Sequence, residues 1–349
     1  MRMAMDFTSD NAAGAAPEIL EALSRVNGGT AASYGADDVT TRLTRRFSEL
    51  FEREVAVFPV VTGTAANALA LATLTPSHGA VMCHELAHVH VDECGAPEMF
   101  SGGAKLVPVG GAAAKIDPRA LAASLAALPQ GVVHHVQPSA LTVTQSTEMG
   151  SVYSIAEIEA LAEIARGRGL RIHMDGARFA NALASLEVSP ASMTWKAGID
   201  IMSFGATKNG ALAAEAVLVF NPDLAKDLAF RRKRAGHLLS KMRFLSAQLE
   251  AYLTDDLWLR LAAHANAMTT RLAAGLAQTA GATLHLEPQA NEVFVRLPVS
   301  LIKHLRDAGA RFHPWPMPGD DDQARSVRLV TSFQTSAAEI DSFLGLAAG

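Results

Sequence analysis

The chain has 349 residues, of which 49% are apolar and 19% charged. That composition excludes disordered and fibrous classes and allows a large core with a smaller appended unit. A formal net charge of -5 gives no electrostatic reason to bind nucleic acid. No run reaches the roughly 18 uninterrupted apolar residues of a membrane span, and with only Cys83 and Cys94 and no apolar secretion segment in the first ten residues the expected setting is a reducing cytoplasm.

In chain order, apolar runs at 55–61, 80–83, 105–109, 141–144, 170–174, 199–204 and 216–220 alternate with helical patterns. The alternation predicts an α/β fold with a mainly parallel, seven-stranded sheet covered by helices on both faces. Two helix starts are explicit. Asp117 before Pro118 supplies an N-cap with proline at the first helical position, and Ser154 with Glu157 has capping-box spacing ahead of Ile158 and Leu161. Gly169 stops the second of these helices. From Asn221 the pattern is helical through Arg271 and absorbs the basic run Arg231, Arg232, Lys233 and Arg234. Strands at 292–297 and 326–331 then flank a helix at 301–308, so a smaller α+β unit is expected, with residues 1–248 forming the large domain and 249–349 the small one. Pro314, Pro316, Pro318, Gly319 and three aspartates mark one exposed loop.

Three segments have the residue types for chemistry. Val61-Thr62-Gly63-Thr64-Ala65-Ala66-Asn67 joins a strand to a helix, and free N–H groups and hydroxyls there suit a phosphate dianion, or form an ordinary strand-to-helix turn with a threonine cap. Asp175 and Lys208 each follow a short apolar run, which puts both where strands of an α/β sheet end. A carboxylate able to hold a protonated pyridine nitrogen and an amine able to form a Schiff base together suit pyridoxal phosphate. Arg178 suits either a substrate carboxylate or a neighbouring acid. Against these stands His84-Glu85-Leu86-Ala87-His88, which matches the zinc-hydrolase pattern of two ligands one helical turn apart with a glutamate base. His90, Asp92, Glu93 and Cys94 extend the segment either as a metal cluster or as a polar active-site helix.

Taken together these residues resemble the threonine aldolase family. The resemblance runs from Thr8-Ser9-Asp10-Asn11 through Tyr34-Gly35, the Gly63–Asn67 turn, Asp175-Gly176-Ala177-Arg178 and Thr207-Lys208-Asn209-Gly210 to Val327-Arg328-Leu329-Val330. It is strongest with the bacterial low-specificity branch, through the stretch His88 to Glu98 and through Ser240 to Ser246. It implies an aspartate-aminotransferase-like fold (fold type I), pyridoxal 5'-phosphate, and retro-aldol cleavage of L-threonine, L-allo-threonine and related β-hydroxy-α-amino acids to glycine and an aldehyde. By the same resemblance Lys208 bonds the cofactor, Asp175 meets its ring nitrogen, His88 stacks on the ring, and Gly63 and Thr64 hold the phosphate with Arg243 reaching it from a neighbouring subunit. Ser9, Arg178 and Arg328 would grip the substrate carboxylate and Tyr34 would cross a dimer interface, which implies a homodimer with shared sites and, beyond it, a tetramer. His134, His88 and Asp92 are the candidate bases for the β-hydroxyl. A phenylserine-preferring aldolase and a β-eliminating lyase would share every cofactor residue. No metal is expected if this reading holds.

Overall fold

The computed structural model describes residues 5–348. Thirteen strands are present among these residues: β1 (Met5–Asp6), β2 (Ala56–Val60), β3 (Gly79–His84), β4 (Lys105–Val109), β5 (Gln137–Thr144), β6 (Arg171–Gly176), β7 (Ile201–Gly205), β8 (Glu215–Val219), β9 (Thr283–Leu284), β10 (Glu292–Pro298), β11 (Ala310–Arg311), β12 (His313–Pro314) and β13 (Ala324–Val330). Strands β2 to β8 form one seven-stranded sheet in the order β2-β8-β7-β6-β5-β3-β4. Its neighbours are parallel except at β8, which runs against both β2 and β7. All seven expected strands are found.

Strands β3, β7 and β8 are buried along their whole length, which explains why they read as continuous apolar runs without alternation. On one face the sheet packs against an aromatic cluster in which Phe204 meets Trp258 at 5.6 Å and Phe47 at 5.1 Å between ring centroids. On the other lies the helix Gly63–Leu74, buried almost all round because its residues are mostly alanine and leucine. The chain leaves β3 toward β4 and then returns to β5 on the opposite side of β3. Such a reversal opens a crevice at the carboxyl ends of the strands, where α/β folds bind ligands.

A second sheet, β12-β13-β10-β9, is antiparallel and covers a separate core that includes Leu272, Val293, Val295, Leu329 and Phe343. Met5 and Phe7 complete that core, because β1 pairs in parallel with β11. The 20-residue helix Leu257–Leu276 places Leu257, Trp258 and Ala262 in the main core and Leu272, Ala273 and Leu276 in the second. One rigid element therefore joins the two.

The local signals act as read. Asp117 accepts from the Arg119 N–H, Ser154 and Glu157 make a complete capping box, and Gly169 takes φ +75 just past the helix Ile155–Gly167. The expected continuous helical stretch from Asn221 to Arg271 is instead three helices, Ala225–Arg234, Arg243–Leu253 and Leu257–Leu276. Gly236 at φ +79 and the left-handed pair Asp255 and Asp256 flank the breaks, where apolar periodicity alone gives no warning. Among the described residues no helix is long and apolar enough to cross a membrane.

Candidate active site

The carboxyl ends of β5, β6 and β7 and the start of the helix Gly63–Leu74 enclose a cavity of about 370 Å³. Thr62 caps that helix by accepting the Ala65 N–H at 3.2 Å. The N–H groups of Gly63 and Thr64, in the first turn, have no partner within the helix. Opposite, Asp175 ends β6 almost fully buried, with Oδ1 accepting from the Ala177 N–H at 3.0 Å and Oδ2 from Asn67 Nδ2 at 2.8 Å. Gly176 is required there, since a Cβ would stand 2.6 Å from the Ser203 carbonyl oxygen. Lys208 lies in the single turn Thr207–Asn209 that follows β7. Its backbone is pinned by Asn209, whose amide donates to the Tyr252 hydroxyl at 2.7 Å and the Trp258 carbonyl at 2.8 Å.

A polar chain runs behind the cavity. Asn67 Nδ2 donates to Glu93 Oε1 as well as to Asp175, and the same Glu93 oxygen meets His88 Nδ1 at 2.9 Å. The His88 N–H and the Thr144 hydroxyl both donate to Glu148 Oε1 at 2.8 Å. The hydrogen bond to Glu93 raises the His88 pKa against the opposing effect of burial. Burial raises Glu93 and pushes Glu148 and Glu215, which both line the cavity, up to about 7. His173, under Asp175 in β6, bonds Thr142 and Ser203 and is pushed down to about 4 by burial, so it is a neutral core residue.

Of the residues expected from the sequence, Gly63, Thr64, His88, Asp175, Arg178 and Lys208 line this cavity together. Arg178 is committed to a neighbour: Nε and Nη2 donate to Asp10 at 2.7 and 3.1 Å, and Nη1 stands 3.4 Å from Glu292. Burial alone would raise the Asp10 carboxyl, but the Arg178 charge, assisted by Lys208, holds it below its ordinary value. Ser9 accepts the Asn11 N–H at 3.1 Å and so shapes the turn that brings Asn11 to the cavity wall. Arg328, on β13, lies 3.8 Å from the other oxygen of Glu292 and covers Trp315 at 4.9 Å.

Four residues lie elsewhere in their own chain. His134 occupies an exposed turn before β5, at the amino end of a strand whose carboxyl end forms the cavity, and it does not line the cavity of its own chain. Asp92 is exposed at the end of the short helix His88–Val91 and outside the cavity wall. Tyr34 is 51% exposed with Lys233 over its ring at 5.1 Å, and Arg243 begins the helix Arg243–Leu253 away from the cavity. The zinc-hydrolase reading fails on geometry. His84 belongs to β3 and is tied to the Gly111 carbonyl and the Leu86 N–H, while the helix begins only at His88, so the two rings never share a helical face.

Asn67, Glu148, Glu215 and Glu292 have no role readable from pattern alone. The available signal was faint: Glu215 heads an otherwise apolar strand and Glu292 one that is apolar apart from Arg296, where a solvated acid would not ordinarily sit.

The residues present fit pyridoxal phosphate. The first-turn N–H groups suit the phosphate, Asp175 keeps acceptor capacity toward a ring N–H beyond its two protein bonds, and Lys208 provides the amine on the same wall. A family model described as beta-eliminating lyase matches residues 6–299. A low specificity L-threonine aldolase of Pseudomonas sp. (strain NCIMB 10558) is 43% identical over 334 residues, covering 96% of this chain and 94% of that protein. One from Pseudomonas aeruginosa is 46% identical over 88% of each chain. The solved structure of Leishmania major threonine aldolase superposes with a TM-score of 0.91 at 28% identity, covering 98% of both chains. With a cavity built around Lys208 and Asp175 and relatives matching along nearly its whole length, the chain belongs to the beta-eliminating lyase family and, within it, to the threonine aldolases.

Proposed function

We propose that the protein cleaves L-threonine, L-allo-threonine and related β-hydroxy-α-amino acids between Cα and Cβ, releasing glycine and an aldehyde. The observation that supports this most directly is the convergence of Lys208, Asp175 and His88 on one cavity that Arg178 also lines. When bound, pyridoxal phosphate supplies an aldehyde that condenses with the substrate amine and a ring that accepts the electron pair of the broken bond. Lys208 would hold that group through its side-chain amine. Asp175 holds a proton at the ring nitrogen, a task suited to a buried carboxylate whose other lone pairs are already engaged. Arg178 and Arg328 hold the substrate carboxylate and thereby select which bond at Cα is aligned for cleavage.

His88 takes the β-hydroxyl proton. Its Nδ1 is engaged by Glu93, which leaves Nε2 as the free acceptor, and its side chain is 40% exposed while Glu93 is fully covered. Asp92 and His134 remain outside this cavity, which is why the role falls to His88. The test is product analysis of the purified protein with L-threonine and L-allo-threonine. Glycine and acetaldehyde in equal amounts are expected, reduced at least roughly a thousandfold in Lys208→Ala. Ammonia and a keto acid would identify a β-eliminating enzyme instead.

A further inference from the structure

The arginine pair faces an unusual neighbour. Glu292 opens β10 with a fully covered side chain, its Oε2 3.4 Å from Arg178 Nη1 and its Oε1 3.8 Å from Arg328 Nη1. Neither oxygen has a hydrogen-bond partner. Asp10, the other acid at this place, differs in every respect, since it accepts two bonds from Arg178 and one from Asn291 at 3.0 Å. Glu292 is also held in position, because a Cβ on Gly150 would stand 3.2 Å from its Cβ and from its carbonyl oxygen, so the Gly150 backbone packs directly against it.

We propose that Glu292 is an affinity-setting residue: from behind the cavity wall its carboxylate offsets the charge of Arg178 and Arg328 and so weakens their hold on the substrate carboxylate. The proposal rests on the reading of the cavity as an amino-acid site. The count of charges supports it. Two guanidinium groups are matched by two carboxylates before any substrate arrives, and Arg178 spends two of its donors on Asp10. An arriving carboxylate therefore meets two arginines whose charge is already matched, with Glu292 of its own sign close to both.

The experiment compares glycine with methylamine, which lacks the carboxylate, as ligands of the holoenzyme, each titrated by the change in cofactor absorbance. In Glu292→Gln glycine should bind about tenfold more tightly, the order expected when a like charge a few ångströms away is removed. Methylamine affinity should be unchanged. Unaltered or weaker glycine binding overturns the proposal, and so does equal tightening of both ligands, which would place the effect on the amine. Glu292→Met, of similar length and without charge, serves if the glutamine variant melts early, with the same expectation. L-Threonine cleavage is measured on the same wild-type preparation. Its absence would reject the proposed function, while the comparison of the two ligands would still decide the role of Glu292.

Discussion

Glu93 shows how one buried acid can govern both ends of a site. Its Oε1 meets His88 Nδ1 and the Asn67 amide, and Asn67 in turn holds Asp175, so the imidazole and the Asp175 carboxylate are tied through two side chains, Glu93 and Asn67. The sign of its effect on activity follows from the His88 pKa, which Glu93 raises. A base must be neutral, and a raised pKa confines the neutral imidazole to higher pH, so the acid limb of kcat/KM stands high in the wild type. Glu93→Gln keeps the shape and removes the charge, and the limb should move to lower pH. A limb that stays in place or moves upward would show that His88 is not the group being titrated. The residue identities at 88, 175 and 208 were legible in the sequence. The link between them was not, because Asn67, Glu93 and Asp175 are far apart along the chain and only folding brings them within hydrogen-bond distance.

Among the elements, the helix Leu257–Leu276 has the most demanding position, since it contributes side chains to both cores. Its last turns lie against the C-terminal helix Ala337–Ala347, which opens on a complete capping box of Ser336 and Glu339. The contact is close enough that a Cβ at Gly275 would stand 2.3 Å from Leu344 Cδ1. Glycine is otherwise a poor helix former, costing roughly 1 kcal/mol against alanine in an exposed helix interior. Here helix propensity favours alanine and the contact with Leu344 opposes it, and packing prevails: Gly275→Ala should destabilise the protein by about 1–3 kcal/mol. Thermal unfolding measures this directly, and an unchanged or raised Tm would mean that the two helices can part without cost. The caps at Asp117 and Ser154 were readable because they act within four residues. The breaks at Gly236 and Asp255–Asp256 were not, because left-handed backbone at aspartate follows from the packing of the helices around it.

For the whole molecule, the placement of Tyr34 and Arg243 raises the question of assembly. Both lie away from the cavity of their own chain, and Arg243 Nε is buried without a partner. Large apolar side chains stand open to solvent, Met99 at 77% and Phe230 at 70% among them. Were two copies to share their active sites, each would supply Arg243 to the other. Mixing then becomes decisive. Lys208→Ala and Arg243→Ala homodimers should each be impaired, but a hybrid dimer has one site with both defects and one with neither. Random pairing of equal amounts should restore about one quarter of wild-type activity, as half the dimers are hybrid and half their sites intact. Mixing without recovery would place Arg243 in the service of its own chain or outside the site.

The sequence by itself determined the strands of the main sheet, the caps of two helices and the chemical identity of the amine and the carboxylate. Each of these depends on local spacing or on a continuous apolar run. Tertiary structure alone decided that Arg178 is held by Asp10, that His84 and His88 cannot act as a pair, that His134 lies at the amino end of its strand, and that Glu292 stands between two arginines. Those outcomes depend on which distant segments meet, and Coulomb and desolvation energies at such meetings exceed anything that residue type alone can foretell.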